Sequence, residues 1–498
     1  MARSLLAGLQ AIALEKATRL RHRTSLPQTM RKTKILCTLG PATESAEVID
    51  ALIAKGADLL RLNMSHASHD WVRQVYPRIR EAAARAGREI GVLMDLTGPS
   101  IRTGDVSQPW ELKVGDEVEL RCKPEAAASR EFSCSVNYPE LGKDLRPGDM
   151  ISIDGGMIQL RAQSVDESRV IGTVLTQGLM KSRRHINLPG VDVRLPPLTA
   201  KDYQDLDLGV ELGVDYFALS FAREPGHIQH LNLLLEQKGS AARVIAKIEN
   251  QQALKNIDTL VAASGGIMIA RGDLGSECPI EDLPLIQRQI VERCSFHGRK
   301  VIVATQMLES MIENPVPTRA EVTDIFNAVI EQVDCVMLSG ETSVGRYPLR
   351  CVEVLDQVIR RIEQKYPSGR FASDAPLKTN KHKTVKAAIT LANSIPGSKL
   401  LVFTLRGVMA HLLAHQRPEF APIFAFTPNP NVSRALVSAR GVEPFVMEFA
   451  HGQPDASIRS AIALLHQRGL VRQGDPLVIL SDALYDGSHV DAILLQNA

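Results

Sequence analysis

Eight short apolar runs rich in β-formers, at residues 34–40, 59–63, 91–96, 216–221, 243–249, 266–271, 301–306 and 335–340, alternate with segments of helical period. That rhythm constrains the fold more than any other feature. Parallel strands need a crossover between them, and the intervening helices supply it, so eight such units predict an α/β protein built on a (β/α)8 TIM barrel. The clearest of the helices carries Val322, Ile325, Phe326, Val329, Ile330 and Val333 on one face, and another ends at Gly298, which suits the position just past a helix.

The rhythm breaks twice. Between residues 105 and 188 the period becomes strand-like, with turn signals at Gly115-Asp116, Gly148-Asp149 and Gly155-Gly156. This predicts a small inserted β-barrel domain which, leaving after the third strand and returning before the fourth, sits over the barrel mouth as a lid. After residue 368 the βα alternation resumes with runs near 400–404, 422–426, 444–449 and 477–480, predicting a C-terminal open sheet with helices on both faces. The expected organisation is therefore an N-terminal basic helical extension over 1–32, a catalytic barrel over 33–104 and 189–367, a lid over 105–188, and a C-terminal α/β domain of regulatory type over 368–498. The extension has seven basic residues and one acidic one, Glu15, as a transit peptide would. Leu5, Leu6, Leu9, Ile12 and Ala13 also fit one face of a docking helix, and the extension is read as part of the mature chain.

Composition narrows the function classes. With 58 Lys plus Arg against 56 Asp plus Glu, there is no basic field for nucleic acid or an anionic membrane, so an anionic ligand must be met locally. No apolar run is long enough to predict a spanning helix. The seven cysteines are scattered, without a CxxC pair, and read as buried reduced thiols of a cytoplasmic protein.

In a barrel of this kind, polar residues just past each strand face a common mouth. Here they include Arg61, Asn63, Asp95, Ser220, Lys247, Glu249, Asp273 and Thr305. Glu249 and Asp273, on neighbouring strands, offer hard oxygen ligands suited to a partly hydrated Mg2+. Lys247, two residues from Glu249, shares its face and can neutralise charge on a transferring phosphoryl group, while Arg61 is a fork-shaped anion clamp. Gly272 lets the backbone approach closely, and its N–H and that of Asp273 can hold a carboxylate. A small phosphorylated carboxylate is the ligand these residue types suit. His411 and His415 share a helical face without a third ligand and are expected on a helix surface. Pro317 is expected near the first position of a helix.

At these residues the sequence resembles the pyruvate kinase family. The matching stretches are TKILCTLGPAT, RLNMSH, DLTGPSIRTG, AKIEN, IMIARGDLG, ATQMLESM, NPVPTRAE and MLSGETSVGRYP, in the family's order from Thr33 to Pro348. The resemblance implies transfer of the phosphoryl group of phosphoenolpyruvate to ADP, giving pyruvate and ATP in glycolysis. It implies that Lys247, Arg61 and Thr305 are catalytic, that Gly272 and Asp273 join them in holding substrate, and that Glu249 and Asp273 bind Mg2+ or Mn2+. It further implies nucleotide contacts from Asn63, Met64, Ser65, His66, Arg102 and Lys201, monovalent-cation ligands at Asn63, Ser65, Asp95 and the Leu96 carbonyl, and a homotetramer, with the 315–321 segment shaping a subunit contact. Three departures qualify it. Ser100 and Leu96 stand where the family's K+-dependent members have glutamate and threonine, so K+ is left as an open cofactor. Asp154-Gly155-Gly156 replaces an Asp-Asp-Gly pattern in the lid. In the C-terminal domain Thr404-Leu405-Arg406-Gly407-Val408-Met409 lacks two hydroxyls of the family's phosphate-binding loop, and a glycine-rich loop is replaced over 482–490, so activation by fructose bisphosphate at the usual place is not expected.

Overall fold

The computed structural model describes residues 30–123, 125–366, 377–450, 453–485 and 488–498. The proposed extension, apart from its last three residues, and the 367–376 junction lie outside the described residues. Strands β1 (Lys34–Thr38), β2 (Leu59–Asn63), β3 (Gly91–Asp95), β4 (Tyr216–Leu219), β5 (Arg243–Ile248), β6 (Gly266–Ala270), β7 (Lys300–Ala304) and β8 (Cys335–Leu338) close into one parallel barrel in sequence order. All eight coincide with the expected runs.

Successive side chains on a strand point to opposite faces, so one face of each strand fills the barrel and the other packs on the helices. The inner layers are Leu36, Leu59, Leu93, Tyr216, Ala218, Ile245, Met268, Ile302, Ala304, Cys335 and Met337. Followed upward, the same inward register turns polar: Leu59 is succeeded by Arg61, Leu93 by Asp95, Ala218 by Ser220, and Ile245 by Lys247 and Glu249. The helices are capped as their sequences suggest. Gly298 closes the helix Leu283–His297 in the left-handed conformation, at φ 69°. Pro317 lies two residues ahead of the first helical position, because Thr318 and Glu321 form a reciprocal capping box that starts the helix Arg319–Ile330 after Thr318.

The insertion is an all-β body. Its seven-stranded sheet runs from Ile101–Arg102 at one edge to Phe132–Ser135 at the other, and a bridge between Thr103 and Val136 brings the two edges together, curling the sheet toward closure. Val118, Leu120, Ile151, Leu160, Val170 and Val174 form its core. Two segments join it to the barrel, one after β3 and one running from Asn187 back to the helix Ala200–Leu212.

The C-terminal domain has strands β9 (Lys399–Phe403), β10 (Ile423–Thr427), β11 (Val442–Val446), β12 (Pro476–Tyr485) and β13 (Ser488–Asn497), in the order β11-β10-β9-β12-β13. Separate apolar clusters cover the two faces of this sheet. Within the 482–490 stretch, residues 482–485 and 488–490 lie in paired strands: Asp482 pairs with Asp491 and Tyr485 with Ser488, antiparallel.

This domain plugs the N-terminal end of the barrel. Val437 enters the inner apolar cluster. Lys300 Nζ donates to the Ala435 carbonyl at 2.9 Å and to Ser438 Oγ at 2.8 Å, and the Tyr216 hydroxyl reaches Ser438 Oγ at 2.9 Å. Arg417 grips both oxygens of Asp334 at 2.7 and 2.8 Å, and Arg434 pairs with Asp215 at 2.7 Å. The same docking corrects the expectation for the paired histidines. The helix Val408–His415 faces the barrel, His415 is buried against Gly298, and burial pushes the pKa of His411 well below its ordinary value. Helical spacing alone cannot distinguish a solvent face from a face that another domain covers.

Candidate active site

The C-terminal ends of β2 to β7 carry the predicted residues, and the structure gathers most of them into one charged cluster. Arg61 donates through Nε to Asp95 Oδ2 at 2.7 Å and through Nη1 to Thr38 Oγ1 at 3.1 Å. Lys247 has three donors and meets three acceptors: Ser220 Oγ at 2.7 Å, Glu249 Oε1 at 2.9 Å and Asp95 Oδ1 at 3.3 Å. Burial opposes its charge, but Asp95 and Glu249 outweigh that and hold its pKa above the ordinary value. Burial likewise opposes ionisation of Asp95, yet Lys247 and Arg61 keep its pKa low.

Glu249 and Asp273 are different. Glu249 is 1% exposed, and burial lifts its pKa to about 7 against the pull of Lys247, with Asp273 adding to the rise. Asp273, on the short helix Arg271–Glu277, is also raised by burial. Two adjacent carboxylates short of positive charge form a donor set that a hard divalent cation would satisfy, so the residues present fit such an ion. Among the described residues no group of three or more His, Cys, Asp or Glu side chains forms a metal cage, which suits a cation that completes its shell with water and substrate.

Thr305 follows β7 in the left-handed conformation, at φ 67°, and Gln306 shares it at 57°. Non-glycine residues adopt this only when their surroundings over-determine it, and here those surroundings are visible. Arg271 donates to the carbonyls of Ala304 and Thr305 while Asp324 holds its guanidinium at 2.6 Å. Thr305 Oγ1 accepts the Gly272 N–H at 3.0 Å, so the strand-6 and strand-7 ends are joined at the mouth.

The expected nucleotide and monovalent-cation positions lie beside this cluster. Asn63 Oδ1 accepts the Ser65 N–H at 3.2 Å, and His66 is exposed. Met64 has its side chain buried, so only its backbone is offered, and its carbonyl accepts from Lys201 at 2.8 Å. Lys201 also pairs with Asp205 at 2.6 Å. Leu96 is buried and its carbonyl accepts from Ser220 Oγ at 2.8 Å. Arg102 stands apart on the lid side, donating to Ser100 Oγ at 3.1 Å and to the Arg183 carbonyl at 3.2 Å. Lid and mouth meet where the His185 ring packs edge-on against Phe221 and Asn187 donates to Glu277 at 3.0 Å.

Sequence reasoning placed Ser220 and Arg271 at strand ends without giving either a role, and it passed over Phe221 and Glu277. The inward register 216, 218, 220 was the signal for Ser220. Nothing local marks Glu277, whose partner Asn187 lies on another element.

Models of the pyruvate kinase barrel domain and alpha/beta domain match residues 30–352 and 382–489. Plastidial pyruvate kinase 2 of Arabidopsis thaliana is 39% identical over 92% of this chain and 79% of its own. A pyruvate kinase of Clostridium acetobutylicum is 35% identical over 90% of this chain and 96% of its own. The crystal structure of a pyruvate kinase from Cryptosporidium parvum superposes with a TM-score of 0.88 at 32% identity, covering 93% of this chain and 96% of the other. With both domain models matched in order and relatives alike along nearly their whole length, the chain belongs to the pyruvate kinase family.

Proposed function

We propose that the mouth cluster is where this chain transfers the phosphoryl group of phosphoenolpyruvate to ADP, the reaction of its family, with Lys247 and Arg61 holding the phosphoryl group and Thr305 serving the proton step. The observation that carries the reading is the convergence at Lys247, whose ammonium lies 2.9 Å from Glu249 and 3.3 Å from Asp95 with Asp273 close by: one lysine shared among three carboxylates.

The proposed order follows from the residues. Arg61 and Lys247 draw the phosphate into the mouth, and the Gly272–Asp273 backbone and Thr305 orient the carboxylate. The nucleotide approaches from the Asn63 to His66 side, with Lys201 and, from the lid, Arg102. Charge that spreads over the phosphoryl oxygens in the transition state is met by Lys247, which is positioned beforehand. The enolate left behind then accepts a proton on the Thr305 side to become pyruvate. The family is metal-dependent; Glu249 and Asp273 would hold Mg2+ or Mn2+, which would supply positive charge to the phosphoryl group. K+ remains the candidate for Asn63, Ser65, Asp95 and the Leu96 carbonyl. We extend the proposal to a homotetramer, which Ile280, Leu285 and Val316 support through apolar side chains exposed on the barrel, and to the cytoplasm, with which seven free cysteines agree. Sedimentation velocity tests the tetramer.

Pyruvate formation from phosphoenolpyruvate should require ADP or GDP and Mg2+ or Mn2+. A matrix of these nucleotides and ions, with and without K+, is the test. Lys247→Met should lower kcat by at least about 10²-fold to 10³-fold. Full activity in that variant, or none in the parent chain under every condition, would overturn the assignment.

A further inference from the structure

Three N–H groups of Lys247 meet three acceptors, and these differ in kind. Asp95 and Glu249 are carboxylates that an arriving cation would attract away. Ser220 is neutral. Its hydroxyl has one proton and two acceptors within reach, the Leu96 carbonyl at 2.8 Å and, further off, Asp95 Oδ1 at 3.4 Å; given to either, it leaves oxygen lone pairs for the ammonium at 2.7 Å. Ser220 thus offers Lys247 an uncharged partner that a divalent cation draws on less than it draws on a carboxylate.

The next residue secures the other half of the pair. The Phe221 N–H donates to Glu249 Oε2 at 2.6 Å while Oε1 of the same carboxylate faces Lys247. Phe221 reaches that position by adopting φ 53°, a left-handed conformation that an aromatic residue keeps only where its surroundings enforce it. One of those surroundings is Gly98, itself at φ 68°. A Cβ built there would lie 2.9 Å from Ser220 Cβ and 3.2 Å from the Phe221 ring, so the β3 exit loop and the β4 corner touch because that position has no side chain.

We infer that Ser220 and Phe221 form a positioning corner at the end of β4: Ser220 fixes where the Lys247 ammonium sits when its carboxylate partners turn to other ligands, and Phe221 independently aims Glu249. Ser220 is a positioning residue and acts through Lys247. The inference rests on reading Lys247 as the phosphoryl-binding lysine.

Ser220→Ala removes one anchor and leaves the other. With Arg61 still gripping the phosphate, ground-state binding should persist while the lysine loses its placement for the transition state. The expected result in the full-length enzyme is a kcat lowered by about 10-fold to 100-fold, a KM for phosphoenolpyruvate within about threefold of the parent, and an unchanged Mn2+ dissociation constant by electron paramagnetic resonance. Ser220→Cys, which keeps a weak donor and acceptor, should fall between the two. A kcat within about twofold of the parent overturns the inference, as does loss of Mn2+ affinity in step with kcat, which would mean that the corner had collapsed. Should the parent bind Mn2+ and turn over, yet Lys247→Met match its activity, the reading of Lys247 fails rather than the role of the corner.

Discussion

The barrel is a tube with a buried lysine near each end, and the two are held in opposite ways. At the mouth Lys247 faces Asp95 and Glu249, and its pKa stands above the ordinary range. At the base burial brings the pKa of Lys300 down to about 7, with Asp334 too weak to reverse it, and it donates instead to a carbonyl, to Ser438 and over the Tyr216 ring. The carboxylates show the converse. Asp58 and Asp334 at the base are wholly buried, yet their arginine partners keep their pKa low, at about 2 for Asp58. Glu249 and Asp273 at the mouth are raised. The base is a finished network of ion pairs and serves cohesion. The mouth is left short of positive charge on one side, and such a site has stability to gain from a ligand.

The comparison is sharpened first by deleting one carboxylate from each end. Glu249→Gln should lower kcat by about 10²-fold or more and weaken Mn2+ binding, while the melting temperature stays the same or rises, because a buried carboxylate whose pKa burial lifts to about 7 is replaced by a neutral amide of the same shape. Asp334→Asn should do the reverse. It strands Arg417 and the Arg440 and Val301 N–H groups, at a cost of about 3–5 kcal/mol, seen as a fall in melting temperature, with kcat at 25 °C within about twofold. If both variants lost stability equally, the distinction between the two ends would be broken.

A smaller effect separates the lysines. Lys300 has a folded pKa of about 7 against about 10.4 when unfolded, so between those values the unfolded chain binds the extra proton. Stability from this group therefore rises with pH across that window and is lowest below pH 7. Melting temperatures of the parent and Lys300→Met, followed from pH 7 to 10, should show a shallower rise in the variant. Parallel curves would mean that Lys300 is charged in the folded protein.

Much of this contrast was legible in the chain, and the part that was not has a physical cause. The eight strands could be read because an apolar run bounded by turns is a local signal, and the mouth residues because the inward register continues from leucines to charges. The hairpin of β12 and β13 was not foreseen beyond the 477–480 run because the pairing that makes 482–485 and 488–490 extended is supplied across strands. His411 and His415 were misplaced because the barrel base that covers them is more than a hundred residues away. Arg271 could be placed at the end of strand 6 but given no role, because its work, holding Thr305 in a left-handed conformation, shows only once strands 6 and 7 are neighbours. Local chemistry names candidates, and long-range packing decides which of them are tense and which are satisfied.

The lid is joined to the barrel by two lengths of chain rather than one, the exit after β3 and the return beyond Asn187. A rigid body pinned at two separate points keeps one easy rotation, about the line through the pins. If the lid moves as one body, swinging about that line costs less than twisting, and Arg102 and Asp154 would then travel toward the mouth along one arc. The search for a closed arrangement is then a search along a single angle.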